Sequence, residues 1–518
     1  MADHVIIGSG INGLVAASLL ALKGDQVMVP ERAATHPGGC LRTEDPAPGY
    51  QHDVTATTFL LVMTSPARAA LGPHLVRHGF DYCHSPHPTA VLRPDGQAVA
   101  MAMDGAANVK KFNALSAGNS NAFAIDTDSI GADPPFLCAL PGQRLRSWPA
   151  AKLLFGQARK RGLRGLAGWF GRALDSARGW LEAIYRSEAM QALLAPWVLH
   201  TGLTVESAYS GQMGRVIAFS PEVAGAPVLK GGAGQAAQAL QALISENGGK
   251  ARCNSDVDRI IVRNGKVASV RLADGEDIAT TSVLASVAPG QLYDRLMQGV
   301  TLPDDRSALH KFRHGRGNFQ PHFALNAPPE WLTPVLDRVA LIHLSDGIDS
   351  VSKSSNEAEG GMLPVTPTNC VGQPARLDST RCPKGNAAPW MQIPDAPRVN
   401  RGDAAGEIEG TDWDDVRAAF VERLERILSR HIKGLVRMMV ARKTHCPKNL
   451  ARININLSDG DASGGYCGID PFFPWRPFAH SQNGDGPVRR LIHTGASTHP
   501  GPGLGGGSGF NSMKRLGA

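Results

Sequence analysis

Residues 4–7 are a short apolar run, His4, Val5, Ile6 and Ile7, that stops at the glycines Gly8, Gly10 and Gly13. Apolar positions then recur at helical spacing over residues 14–22, which predicts a strand, a glycine turn and a helix. A second apolar run, residues 26–30, ends at the acid Glu31. Each glycine has its own use: Gly8 permits the tight turn, Gly10 lets a pyrophosphate approach the backbone, and Gly13 lets the helix pack on the strand. The helix N-terminus then faces phosphate, and an acid at the position of Glu31 hydrogen-bonds a ribose 2′-OH. The pattern predicts a Rossmann-type dinucleotide site whose candidate residues include Ile11, Asn12 and Arg32 beside the glycines and Glu31.

Further along, residues 87–93 and 97–103 flank Pro94, Asp95 and Gly96, a hairpin signal. Residues 195–218 show helix-like spacing. A second glycine run, Gly231 to Gly234, precedes a helical pattern that reaches Glu246. It lacks both a preceding apolar strand and a following ribose acid, so one dinucleotide is expected rather than two. Residues 251–254 read as a strand, and residues 260–263 pair with 266–272 across Asn264-Gly265, a type I′ turn sequence. A third strand follows Asp274-Gly275. Residues 351–364 and 381–410 are rich in Pro, Gly and polar residues and read as loops. Thr411 is expected to cap a helix running to about His431, with Asp412, Asp414 and Asp415 in its first turn. A strand over residues 489–494 and a glycine-rich loop over 496–509 lead to a short helix from Phe510.

Composition narrows the picture. The 518 residues are 42% apolar and 19% charged, with no stretch of eighteen apolar residues, so a globular chain without a membrane-spanning helix is expected. The first strand begins at the fourth residue and leaves no room for a leader, which implies a cytoplasmic protein or one on the cytoplasmic membrane face. Eight cysteines are scattered without a CxxC pair, as in a reduced protein. Net charge is +7, but no nucleic-acid module is present and aromatics are only 6%, so no nucleic-acid partner is expected. The basic residues concentrate at 152–186, where Lys152, Arg159, Lys160, Arg161 and Arg164 are interleaved with Leu153, Phe155, Leu163 and Trp169. Such a segment either packs as an ordinary helix pair or lies in an anionic membrane interface. His74 and His78 are four apart, yet no third ligand is near them, so no metal site is expected.

The loop after Glu31 carries a resemblance. Gly38, Gly39, Arg42 and Thr43 stand in a Gly-Gly-x-x-x-Thr pattern, and its place after the GxGxxG turn and the acid resembles the FAD-binding start of the amine oxidase and phytoene desaturase superfamily. Residues 227–289 resemble the middle FAD segment of that superfamily, and residues 367–392 a strand-rich part of its substrate domain. Residues 495–501, Gly-Ala-Ser-Thr-His-Pro-Gly, resemble its terminal signature, with Ser497 in place of a usual glycine.

The resemblance implies that Glu31 holds the adenosine ribose, that Gly38, Gly39, Arg42 and Thr43 line FAD, and that residues 53–58 run near the flavin ring. It implies that the Val257 backbone meets adenine, and that Gly495, Thr498, Gly503 and Gly509 approach the cofactor from the C-terminal end. His499, inside the terminal signature, is the candidate catalytic residue. The expected fold class is α/β, a Rossmann-type FAD-binding domain built from residues 1–72, 221–300 and 477–518, plus an α+β substrate domain from 73–220 and 301–476. The expected reaction is desaturation of an apolar, carotenoid- or isoprenoid-like substrate by hydride transfer to flavin N5, with oxygen or a quinone as acceptor. Amine or amino-acid oxidation, and non-enzymatic prenyl and protein binding like that of the GDP-dissociation inhibitors, are the alternatives. Peripheral membrane contact through 152–186 suits a lipid-soluble substrate.

Overall fold

The strand Ala2–Ile7 is the centre of the first of two large sheets in the computed structural model, which describes residues 2–115, 119–132, 147–469, 476–481 and 484–516. It lies parallel between Asp277–Ser286 on one side and Val27–Pro30 on the other. The complete order is Val257–Arg263, Lys266–Leu272, Asp277–Ser286, Ala2–Ile7, Val27–Pro30 and Lys250–Arg252, with Leu491–Thr494 parallel to Asp277–Ser286. Val5 and Ile6 are fully buried, as a central parallel strand covered on both faces requires. Asn264 and Gly265 both take positive φ, the backbone of a type I′ hairpin. One sheet is therefore closed by three separated stretches of chain.

Helices Ile11–Leu22, Gly234–Glu246 and Gly507–Met513 cover one face of this sheet. Gly234–Glu246 buries Ala236, Leu240, Leu243 and Ile244, the stripe that a 3.6-residue period puts on one side. Gly509 brings the last helix against the first: a Cβ there would lie 2.0 Å from the Asn12 carbonyl oxygen, and its N–H donates to Asn12 Oδ1 at 3.2 Å. The two ends of the chain meet at the glycine turn.

The second sheet runs Met439–His445, Gly317–Leu325, Trp390–Ala396, Asn369–Gly372, Leu341–Leu344, Thr89–Leu92 and Ala98–Met101. Its two faces are sorted by alternation. Ala90, Ile342, Val371, Met391 and Phe319 pack under helix Trp413–Ser429, against Trp413, Phe420 and Leu424. Val91, Leu341, Cys370 and Trp390 point the other way, toward Trp180, Leu193 and Trp197.

Some loop expectations fail here. Residues 351–364 fall in helix Ile348–Glu359 and strand Met362–Leu363. The buried side of that helix is Ile348, Val351, Ser355 and Ala358, and Ser355 satisfies its hydroxyl on the Val351 carbonyl, so small polar residues replace the apolar stripe. Residues 381–410 contain Trp390–Ala396 and Gly402–Asp403. Asp412, rather than Thr411, caps Trp413–Ser429 by accepting the Asp414 N–H at 2.7 Å. The basic segment is helix Trp148–Ala173, kinked at Gly162, followed by Ala177–Ile184. Among the described residues no helix is long and apolar enough to cross a membrane. The cysteines that are described are free thiols, and Cys138 lies outside the described residues.

Candidate functional site

Between the sheets lies a cavity of about 910 Å³. Its first end is the glycine turn. Gly8 (φ 89°) turns the chain out of Ala2–Ile7, and Gly10 precedes the first residue of helix Ile11–Leu22. The first N–H groups of a helix have no acceptor inside it and carry the positive end of its dipole, so this corner suits a phosphate. A Cβ on Gly10 would meet nothing nearer than Ser286 Oγ at 3.9 Å, and one on Gly495 nothing nearer than the Val287 carbonyl oxygen at 3.9 Å. Both glycines line the cavity, so side chains there would occupy its volume. The residues present fit a dinucleotide.

Glu31 is fixed at this end. Its Oε2 accepts the Ser9 hydroxyl at 2.6 Å and the Ser9 N–H at 2.8 Å, while Oε1 accepts the Ala33 N–H at 2.8 Å. Ser9 Oγ in turn accepts the Gly38 N–H at 2.9 Å, tying the two glycine loops together. Ser9 has no signature in the sequence, because any small residue suits the middle of a GxG turn.

The cavity wall includes Gly8, Gly10, Ile11, Asn12, Glu31 and Arg32. It also includes Gly38, Gly39, Arg42, Val257, Gly495 and Gly503. Five expected site residues are not on it. Gly13 packs beneath the turn, where a Cβ would lie 2.4 Å from the Gly8 carbonyl oxygen. Gly509 packs on Asn12, as above. Thr43 donates to Asp53 Oδ1 at 2.8 Å and accepts the Gly234 N–H at 3.0 Å. Thr498 donates to the Gly495 carbonyl at 3.0 Å and sits 2.5 Å from Ser508 Oγ. His499 is buried at 4% exposure beside them, off the cavity surface. These groups brace the loops that touch the cavity.

Within residues 53–58, Thr55, Ala56, Thr57 and Thr58 reach the cavity, but Asp53 does not. Asp53 is fully buried against Arg381, with Nη1 to Oδ2 at 3.0 Å, and its other oxygen accepts the Ala233 N–H at 2.7 Å. Arg381 also donates to Asp378 at 3.1 Å and to the Leu229 carbonyl at 2.8 Å. Burial opposes ionisation of Asp378, but the Thr380 hydroxyl, the Gly231 and Thr380 N–H groups and Arg381 outweigh it and hold its carboxyl below the usual range. One guanidinium thus joins the first glycine segment, the Gly231–Gly234 turn and the second sheet.

The far end of the cavity belongs to the second sheet and its helical cover. Leu341, Cys370 and Trp390 come from the sheet; Trp197, Met213 and Ile217 come from the cover. His200, on the same wall, has its imidazole pushed down to about 4 by burial. Asn456, which accepts the Ala288 N–H at 2.8 Å, and Asp461 complete a side formed by residues 452–464, a stretch without a legible motif. Asp461 stays ionised against the cost of burial through His314 and the N–H groups of Gly315 and Ser463.

The chain is similar to known proteins in sequence and in fold. A family model described as an NAD(P)-binding Rossmann-like domain matches residues 6–87. Pyridine nucleotide-disulfide oxidoreductase domain-containing protein 2 of Mus musculus is 25% identical, over 98% of this chain and 92% of its own length. The zeta-carotene-forming phytoene desaturase of Myxococcus xanthus is 25% identical, over 96% of this chain and 90% of its own. Among solved structures, a putrescine oxidase triple mutant superposes with a TM-score of 0.61 at 15% identity, covering 99% of this chain and 97% of that one. The chain thus carries a Rossmann-like dinucleotide-binding segment, is similar over nearly its whole length to proteins named as oxidoreductase and desaturase, and shares its fold with the putrescine oxidase.

Proposed function

We propose that the protein binds FAD along the glycine-lined end of the cavity and oxidises an apolar, isoprenoid-like substrate held at the other end. The observation that carries this reading is the continuity of the cavity: the wall that holds Gly10 and Glu31 also holds Trp197, Leu341 and Trp390. When bound, FAD supplies a two-electron acceptor that takes hydride at flavin N5. The chain supplies the rest. Helix Ile11–Leu22 and Glu31 anchor the nucleotide, residues 55–58 and 495–497 press against the middle of the cavity, and Trp197, Met213 and Trp390 surround a water-poor pocket for carbon chains. Loss of hydride from one carbon, and of a proton from its neighbour to bulk water, would leave a carbon–carbon double bond. Oxygen or a quinone would serve as the final electron acceptor. The relatives support the desaturating chemistry, since one of them is a phytoene desaturase.

Helix Trp148–Ala173 supports delivery of such a substrate from a membrane. Trp148, Phe155 and Leu163 are 80%, 71% and 80% exposed, and Lys152, Arg159, Lys160 and Arg164 are exposed beside them with no acidic residue in the helix. Exposed apolar and basic side chains together favour an anionic lipid surface.

The test is anaerobic mixing of the FAD-loaded protein with a series of acyclic isoprenoids, following flavin absorbance and product mass. Bleaching of the flavin with a product two hydrogens lighter is expected. Peroxide production from primary amines with no reaction toward isoprenoids would transfer the protein to the amine-oxidising group.

A further inference from the structure

On the far wall of the cavity stands a group of side chains that the flavin chemistry does not use. His343, in strand Leu341–Leu344, lies directly across from Cys370, in strand Asn369–Gly372, so both side chains leave the same face of the sheet. His200, in the 3-10 turn Ala195–Thr201, descends on that face. Its Nε2 lies 2.9 Å from His343 Nε2, and a ring nitrogen of each histidine and Cys370 Sγ all fall within 4.8 Å of one another. Trp197 packs against both imidazoles, with ring centroids 5.2 Å from His200 and 4.9 Å from His343. His200 and Cys370 reach the cavity, while His343 sits behind them, 1% exposed.

A hydrogen bond between the imidazoles accounts for part of this arrangement only. It uses one proton between two nitrogens. It also gives Cys370 no role. No carboxylate belongs to the group.

We propose that His200, His343 and Cys370 are three ligands of a divalent transition-metal site of the zinc class, with its fourth position open to the cavity. Two imidazole nitrogens and one sulfur suit zinc, whereas magnesium and calcium require oxygen ligands. Zinc–nitrogen and zinc–sulfur bonds of about 2.0 and 2.3 Å set tetrahedral ligand separations of roughly 3.3 to 3.6 Å. To admit the ion the imidazole nitrogens need to part by about 0.4 Å and Cys370 Sγ to close in from within 4.8 Å. A thiol binds such an ion as the thiolate, so the ion displaces a proton as the Cys370–metal bond forms. The open position accepts water or an oxygen of the bound molecule, giving the wall beside Trp197, Leu341 and Trp390 a point that reads a hydroxyl or carbonyl group.

The experiment uses the full-length flavoprotein, stripped with a chelator and titrated with Co²⁺ under mildly alkaline conditions. Absorption is read in the red, beyond the bands of oxidised flavin, and bound Zn²⁺ is counted by elemental mass spectrometry. One tetrahedral Co²⁺ per chain, displaced by Zn²⁺, is expected, and Cys370→Ser and His343→Gln should each weaken binding about tenfold or more. No stoichiometric uptake of either ion by the wild-type protein overturns the site. So does unchanged affinity in both variants, or a preference for copper with an intense thiolate band and no zinc uptake. Should a variant fail to fold, the wild-type titration decides alone.

Discussion

Arg381 and Asp53 are 328 positions apart in the chain, yet they meet at 3.0 Å with neither side chain exposed to solvent. Most of the apparent strength of a buried pair is the penalty for losing one partner, since the remaining charge is stranded away from water. Arg381→Met leaves Asp53 and Asp378 without their shared cation and should cost about 3–5 kcal/mol. Denaturant unfolding of the purified variant measures this. A loss below about 1 kcal/mol would place the pair among weakly contributing exposed ones.

Glu31 is held by three hydrogen bonds with its carboxylate on the cavity wall. Glu31→Ala removes a charged acceptor, a contact worth about 1.5–3 kcal/mol. FAD affinity should fall by about ten- to 150-fold, read from quenching of flavin fluorescence. Ser9→Ala, which frees the carboxylate without removing it, should give a smaller loss.

Acid should unfold this protein early. Burial depresses the imidazoles of His52, to about 3, and of His200 and His493, to about 4, with the Arg381 charge adding to the effect on His52. Once unfolded, each titrates near 6.5. The unfolded chain therefore binds more protons below about 6.5, and stability is lost as pH falls from there until the native groups themselves titrate. The slope is about 1.4 kcal/mol per pH unit for each fully contributing histidine. Urea unfolding at a series of pH values should show a declining midpoint below neutrality, and His52→Gln should flatten it. A midpoint independent of pH over that window contradicts the burial of these rings.

Gly372 lies under the indole of Trp390, where a Cβ would come within 2.1 Å of the ring. Gly372→Ala must push Trp390 out of the cavity wall or bend the strand. The expected cost is about 1–3 kcal/mol, together with weaker binding of apolar ligands. Thermal unfolding and a hydrophobic-dye competition assay separate the two effects.

Trp148–Ala173 provides a test on lipid. Sedimentation with anionic vesicles should be lost at high salt, and replacement of both Phe155 and Leu163 by Ser should weaken it at low salt without lowering thermal stability, because both side chains are already exposed. Absence of binding to anionic vesicles at low salt removes the membrane contact.

The sequence by itself determined the features whose physics is local. Gly8, Gly10 and Gly13 at fixed offsets demand one turn, the acid at Glu31 follows from the length of one strand–helix–strand unit, and Asn264-Gly265 selects one hairpin backbone. Those features do not depend on what lies across the molecule. The helix Ile348–Glu359 escaped notice because Ser354, Ser355 and Ala358 take up most of its buried side after Ile348 and Val351. The tertiary structure alone decided what meets at a distance. Register between two strands puts His343 opposite Cys370, a turn from elsewhere lowers His200 onto them, and Arg381 finds Asp53 across most of the chain. It also drew His499, Thr43 and Thr498 behind the wall instead of onto it. A side chain's chemistry is written in the sequence, but which face of a sheet it leaves by, and what waits there, depends on register and packing between segments that share no local signal.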